Sequence, residues 1–169
     1  HPPTLGPAVV EGRVADDEVE GSVDAVQART AHAGYRASGK GIGWAVLDTG
    51  IAGNHPHFSL HKNIKAQWDC TLRRPPLRID PDNPMFDALD GNGHGTHVAG
   101  IIAGVHKARS GRTTETFCGI APETALYGFK VLDDRGDGHD SYIIKALDFI
   151  AALNESSSKL IIHGINLSL

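Results

Sequence analysis

Residues Trp44-Ala45-Val46-Leu47-Asp48 form an apolar run that follows glycines at 39, 41 and 43 and stops abruptly in a carboxylate. A half-buried strand would alternate apolar and polar side chains, and an amphipathic helix would repeat every three or four residues. An unbroken run between glycines instead suits a strand buried on both faces, as in a parallel sheet covered by helices. This constrains the chain to an α/β architecture and puts Asp48 at the carboxyl end of a buried strand. Open α/β sheets form their sites at that edge.

The rest of the sequence supplies the other layers. Ser22–Gly34 carries Val23, Val26, Thr30 and Ala33 near helical spacing, with Ser22 as N-cap and Gly34 as stop. A second strand is expected over Ile64–Cys70, a third over Ala125–Leu132 and a fourth over Leu160–Leu167. His94–Val105 is small and apolar and reads as a tightly packed helix. Asp140 is placed to cap a helix whose apolar stripe is Ile143, Ala146, Leu147, Ile150 and Leu153. Thr71–Gly93, with prolines at 75, 76, 81 and 84, reads as a long irregular loop, and Lys107–Thr116 as a polar one. Strand, helix and strand alternate, so the expected fold is three-layer α/β with a mainly parallel sheet. His1–Glu20 is Pro-rich and then acidic, without a period, so residues 1–21 are expected to be an arm or linker and 22–169 the domain. The fourth strand runs to the last residues with no helix after it to cover it, which reads as a domain cut after about its fourth strand.

Charge and composition remove several functions. With 16 basic against 20 acidic residues the net charge is −4, so nothing drives phosphate-backbone binding and no nucleic-acid partner is expected. The longest apolar runs, such as Val98–Val105, fall far short of a membrane span. Two cysteines, Cys70 and Cys118, do not make a disulfide framework; they either pair or remain two buried thiols.

Five short segments concentrate the chemistry. They are Asp48-Thr49-Gly50, His94-Gly95-Thr96-His97-Val98-Ala99-Gly100, Gly119-Ile120-Ala121-Pro122, Lys130-Val131-Leu132 and Asn166-Leu167-Ser168-Leu169. In type and order they closely resemble the subtilisin-like serine proteases, from about residue 22 to the last. The resemblance implies a serine endopeptidase. Asp48 would hold the imidazole of His94 in one tautomer, and His94 would be the general base and then the general acid. It also implies that peptide substrate pairs as an added strand with Gly136-Asp137-Gly138 on one side and Ser168-Leu169 on the other. Leu132 would line the pocket next to the residue preceding the scissile bond. The Asp48 strand would lie between the Ala125–Leu132 and Leu160–Leu167 strands. A secreted location and a propeptide partner follow from the same resemblance.

The sequence also departs from the family. The serine of a Gly-Thr-Ser-Met-Ala-type stretch and the asparagine of the oxyanion hole would both follow Ser168-Leu169, and neither is present. The chain alone is therefore expected to be inactive, with the missing C-terminal half of the domain as its partner. No cofactor is required. Structural calcium is compatible with the family, but its common site looks degraded: after His55-Pro56, His57 stands where many members have an aspartate, and Gly104–Cys118 lacks the short asparagine-bearing loop.

Other readings are weaker. The rival from another class is a non-catalytic module of the same fold, or a pseudoenzyme. His55, His57, His61 and His94-x-x-His97 lack the glutamate or sulfur spacing of a zinc site, so no metal ligand is assigned. His97 is a helix-packing residue in the family. Asp133–Ile144 fails the EF-hand pattern because its twelfth residue is Ile144. A single Asp-Thr-Gly on a helix-rich chain does not suit an aspartic protease. Asn154-Glu155-Ser156 is a glycosylation sequon on an expected loop, and Asn166-Leu167-Ser168 one on an expected buried strand.

Overall fold

The computed structural model describes residues 21, 23–72, 75–110 and 113–169. Residues 1–20 of the expected arm and the Ser22 cap lie outside these residues. The core is a five-stranded sheet of β1 (Gly43–Asp48), β2 (Ile64–Asp69), β3 (Leu77–Ile79), β6 (Ala125–Lys130) and β7 (Gly164–Leu167). The strand order is β3-β2-β6-β1-β7. β2, β6, β1 and β7 run parallel, and only the edge strand β3 is antiparallel. β1 thus lies between β6 and β7, as the resemblance implies.

Helices cover both faces. On one face Ala45, Leu47, Trp68, Phe129 and Val131 pack under α4 (Asp140–Glu155), through Ala146 and Ile150. On the other, Val46, Ile64 and Leu126 pack under α3 (His94–Ala103), through Ala99 and Ala103. Successive residues of β1 enter opposite cores, which is why no polar residue interrupts the strand before Asp48. The stripe of α4 is rotated slightly from expectation. Leu147 is 37% exposed, while Tyr142 and Phe149 join the packing. Asp140 is the first helical residue and places its charge in the first turn without a side-chain capping bond.

Four expectations change. Helix α1 covers Ala28–Tyr35, and it stops not at Gly34 but at Arg36, which takes the left-handed conformation (φ 53°) while its N–H bonds back to His32 O. The 71–93 segment is not irregular throughout. It contains β3 and a short helix, α2 (Met85–Ala88), pinned by the buried Ile79, Phe86 and Leu89. The 107–116 loop is a β-hairpin of β4 (Val105–Ser110) and β5 (Thr113–Cys118), paired from Val105↔Cys118 to Ser110↔Thr113. Helix α3 accordingly ends at Ala103, where Gly104 N–H caps onto Gly100 O. The fourth strand starts only at Gly164, because the Asn154 carboxamide takes the backbone of residues 161 and 162 out of the ladder. Its Oδ1 accepts from Ile161 and Ile162 N–H (3.0 and 2.9 Å) and its Nδ2 donates to Ile162 O (2.9 Å).

Both sequons also change setting. Asn154 sits in the last turn of α4, not on a loop, and β7 is an edge strand with Leu167 49% exposed rather than a buried one. Cys70 and Cys118 are both free thiols.

Candidate active site

β1 delivers Asp48 to the carboxyl edge of the sheet, where its side chain is fully buried. Opposite it, α3 opens on His94, whose side chain is 48% exposed. Nδ1 of His94 lies 2.8 Å from Asp48 Oδ1 and 3.0 Å from Oδ2. An ionised carboxylate only accepts, so Nδ1 carries the proton and Nε2 is left with its lone pair. Asp48 Oδ1 also accepts from the Thr49 N–H at 2.7 Å, which fixes the carboxylate against its own backbone. A buried carboxylate anchoring a half-exposed imidazole is a geometry for moving a proton at Nε2.

The approach of strand and helix depends on small and polar residues around the pair. A Cβ at Gly95 would collide with the Gly50 carbonyl oxygen and come within 3.1 Å of Asp48 Cβ, so only glycine lets the helix start this close. Thr49 Oγ1 accepts from Gly95 N–H (3.0 Å) and donates to Asp90 Oδ1 (2.8 Å). Asp90 collects further bonds on both oxygens. Asn92 and Gly93 N–H reach Oδ1 (3.2 and 2.8 Å), and Thr96 donates to Oδ2 through both its N–H (2.8 Å) and its hydroxyl (2.5 Å). Burial alone pushes the Asp90 carboxyl up. The bonds from Thr96 Oγ1, Gly93 N–H, Thr49 Oγ1 and Thr96 N–H outweigh it, so Asp90 ionises below the ordinary carboxylate range.

The segments expected to bind peptide follow the two strands that flank β1. After β6, the N–H groups of Val131 and Leu132 both donate to the Asp48 carbonyl (2.8 and 3.2 Å). Half-buried Leu132 then bridges to Gly138, closing a loop whose residues 136–138 are exposed. Asp133 holds that loop from inside. Its carboxylate sits below the ordinary range because Asp137 and Arg135 N–H donate to it, with Arg135 and Lys130 adding positive charge. Ser168 and Leu169, both exposed, follow β7 on the other side. The structure therefore places Leu132, Gly136, Asp137 and Gly138 on one flank of Asp48, and Ser168 and Leu169 on the other.

Asp90, Thr49, Thr96 and Lys130 carried no role in the sequence reading. Lys130 is buried, its Nζ lying 2.7 Å from Thr49 O and 2.7 Å from Asp134 Oδ1. Asn92 Nδ2 donates to Asp134 O (3.1 Å), tying the turn before His94 to the loop after Leu132. The one local signal was Asp90-Gly91-Asn92-Gly93 ahead of a helix, since Asp readily accepts from backbone N–H groups two or three residues on.

The histidines of the 55–61 region do not converge on this site. His55 packs edge-on against His57 (4.7 Å), and His57 against His106 of β4 (4.8 Å). Burial, and then the neighbouring His106, hold His55 below its usual range. Among the described residues no group of three or more His, Cys, Asp or Glu is arranged to hold a metal ion. Imidazoles packed on a hairpin are not the oxygen ligands that calcium takes.

Comparison with known proteins agrees with the motif order. The family model described as "Subtilase family" matches residues 39–168. Proteinase R of Parengyodontium album is 33% identical over 115 residues, covering 68% of this chain and 23% of that protein. Serine protease AprX of Bacillus subtilis (strain 168) is 34% identical over 136 residues, covering 80% of this chain and 27% of that protein. The chain thus spans about a quarter of the length of these curated relatives. Among solved structures, Sphericase superposes with a TM-score of 0.59 at 32% identity, over 78% of this chain and 38% of that one.

Proposed function

Since this chain belongs to the subtilase family, we propose that it supplies the aspartate and histidine of a serine endopeptidase. The observation that carries the proposal is the contact between buried Asp48 and half-exposed His94 at the carboxyl edge of the sheet. In this reading Asp48 keeps the proton on Nδ1. His94 Nε2 takes the proton of a serine hydroxyl as it attacks the peptide carbonyl, then returns it to the leaving amine. Asp48 stabilises the imidazolium formed between these steps. The serine comes from sequence following the 169 residues, so the chain alone is inactive and the rest of the domain is its partner. The chemistry asked of these groups needs no metal or cofactor.

Substrate is a polypeptide. It binds in extended form between the Gly136–Gly138 segment and Ser168-Leu169, through backbone hydrogen bonds, with Leu132 lining a side-chain pocket. A secreted location, with a propeptide as a further partner, suits such an enzyme. Among the described residues no helix is long and apolar enough to cross a membrane.

The test uses the full-length gene product and a fluorogenic peptide amide. Asp48→Asn and His94→Ala are each expected to lower hydrolysis by about 10⁴-fold, with the circular dichroism spectrum unchanged. A fluorophosphonate should label the full-length product and leave the 169-residue polypeptide unlabelled. Full activity in either variant, or a labelled 169-residue chain, removes the role assignment. Peptide binding without hydrolysis in the parent protein points instead to the non-catalytic module.

A further inference from the structure

The first turn of α3 has little apolar packing to hold it. Residues 91–94 are exposed, Gly95 and Thr96 are buried, with Gly95 seated against Gly50 and Asp48, and the apolar side-chain contacts of the helix begin further along, at Val98, Ala99 and Ala103. Gly93, at the N-cap position, has φ 97° and no side chain with which to cap. The direction in which His94 leaves the helix is therefore set by the seat of Gly95 on the end of β1 and by the hydrogen bonds that take up otherwise unpaired N–H groups.

Those bonds trace to very few acceptors. Gly93 and Thr96 N–H go to Asp90, Gly95 N–H goes to Thr49 Oγ1, and His94 N–H goes to Asn92 Oδ1 (3.3 Å). Asn92 is itself held through its N–H by Asp90. Thr49 Oγ1 can accept from Gly95 in this rotamer because its own proton is given to Asp90. The Thr96 hydroxyl, donating to Asp90, accepts from Ala52 N–H (2.9 Å) on the segment leaving β1. One carboxylate thus binds both the start of the helix and the end of the strand, and none of its hydrogen bonds goes to Asp48 or His94.

We propose that Asp90 is a positioning residue that sets the His94–Asp48 geometry by fastening the first turn of α3 to the end of β1. The proposal rests on the protease reading for its kinetic consequence, though not for its structural one. Its ionisation below the ordinary carboxylate range keeps the fastening intact at mildly acidic pH. Asparagine is an informative replacement. It keeps one acceptor oxygen for Thr49 and Gly93, but turns an NH₂ toward the Thr96 N–H, where two donors then face each other.

The experiment compares Asp90→Asn with the parent in the full-length gene product. Kinetics are normalised to fluorophosphonate-titrated sites, and proton NMR follows the His94 Nδ1–H. The expected result is a fall in kcat of about tenfold to a hundredfold, the scale of a displacement of about 1 Å. KM should stay within about twofold, and the Nδ1–H resonance should broaden or vanish. Thr49→Val cuts the bridge to β1 while leaving the carboxylate in place, and is expected to lower kcat in the same sense. It serves as the decisive variant if Asp90→Asn yields little folded protein. A kcat within twofold of the parent in the folded variant, or an unchanged Nδ1–H signal, overturns the proposal. If the parent hydrolyses no peptide, the protease reading fails and the NMR comparison alone decides the role of Asp90.

Discussion

The α-carbon of Gly95 rests against the carbonyl oxygen of Gly50, leaving no room for a methyl group between helix and strand. Gly95→Ala must therefore separate α3 from β1 at the point where His94 meets Asp48. The expected cost is about 2 kcal/mol or more by urea unfolding, in the upper part of the range for overpacking, together with loss of the peptide hydrolysis proposed for the full-length product. Gly100, on the same helix, has nothing within 4 Å of an added Cβ. Gly100→Ala should instead stabilise by about 0.5–1 kcal/mol. Equal effects at the two positions would contradict the packing described for α3.

Lys130 and Asp134 form an ion pair whose two ends should differ in importance. Lys130 is buried and is the donor to Thr49 O, whereas the Asp134 side chain is 64% exposed. Lys130→Met leaves a buried carbonyl without its donor and should cost about 1–3 kcal/mol. Asp134→Asn removes only a solvent-screened attraction and should cost less than about 1 kcal/mol. Urea unfolding of the two single variants checks the ranking, and a larger loss at Asp134 would reverse it.

The cysteines should react unequally. Burial pushes the Cys70 thiol up to about 12, and the Lys145 charge only partly opposes it. At pH 8 its thiolate population is on the order of one in ten thousand. Half-buried Cys118 is shifted upward as well, mainly by burial, but it is more accessible. A disulfide-exchange reagent at pH 8 should therefore modify Cys118 in the native protein and Cys70 only after denaturant is added. Linkage gives a second expectation. With the folded value raised above the ordinary 9.0, the contribution of a neutral Cys70 is fully present below pH 9 and declines between about pH 9 and 12. Cys70→Ala should flatten that part of the stability curve.

Asn154 is occupied at both ends of its carboxamide. A glycan there would tear residues 161 and 162 from the turn that feeds β7. Expression through a eukaryotic secretory pathway should give protein whose mass at this site is unchanged by glycosidase. Asn154→Ala should destabilise by about 1–3 kcal/mol through the orphaned backbone groups.

How far the sequence spoke for itself depended on the range of the interaction. β1 and β6 were visible because both are apolar runs bounded by turn residues, and the neighbours of β1 were implied by the family resemblance. The β4–β5 hairpin was not. Its Lys, Arg, Thr and Ser residues resemble a solvated loop, and its stability comes from a ladder between strands rather than from an apolar face. Asp48 and His94 were legible as members of short motifs. The roles of Asp90 and of Lys130, which opens one of those motifs, were not, because they depend on Thr49, which lies 41 and 81 residues away from them respectively. Leu147 was misplaced because the α4 stripe is wide and the rings of Trp68 and Phe129 beneath it shift its centre toward Phe149.

The two N–H groups that converge on the Asp48 carbonyl have one more consequence. Through its side chain Asp48 locates the imidazole, and through its carbonyl it locates the start of the segment beside which peptide would lie. Proton acceptor and peptide track are surveyed from the same benchmark. If β1 slides or tilts as a unit, both move with it and their separation is preserved. The protein would then tolerate displacement of the whole strand far better than twisting of the single peptide plane between residues 48 and 49.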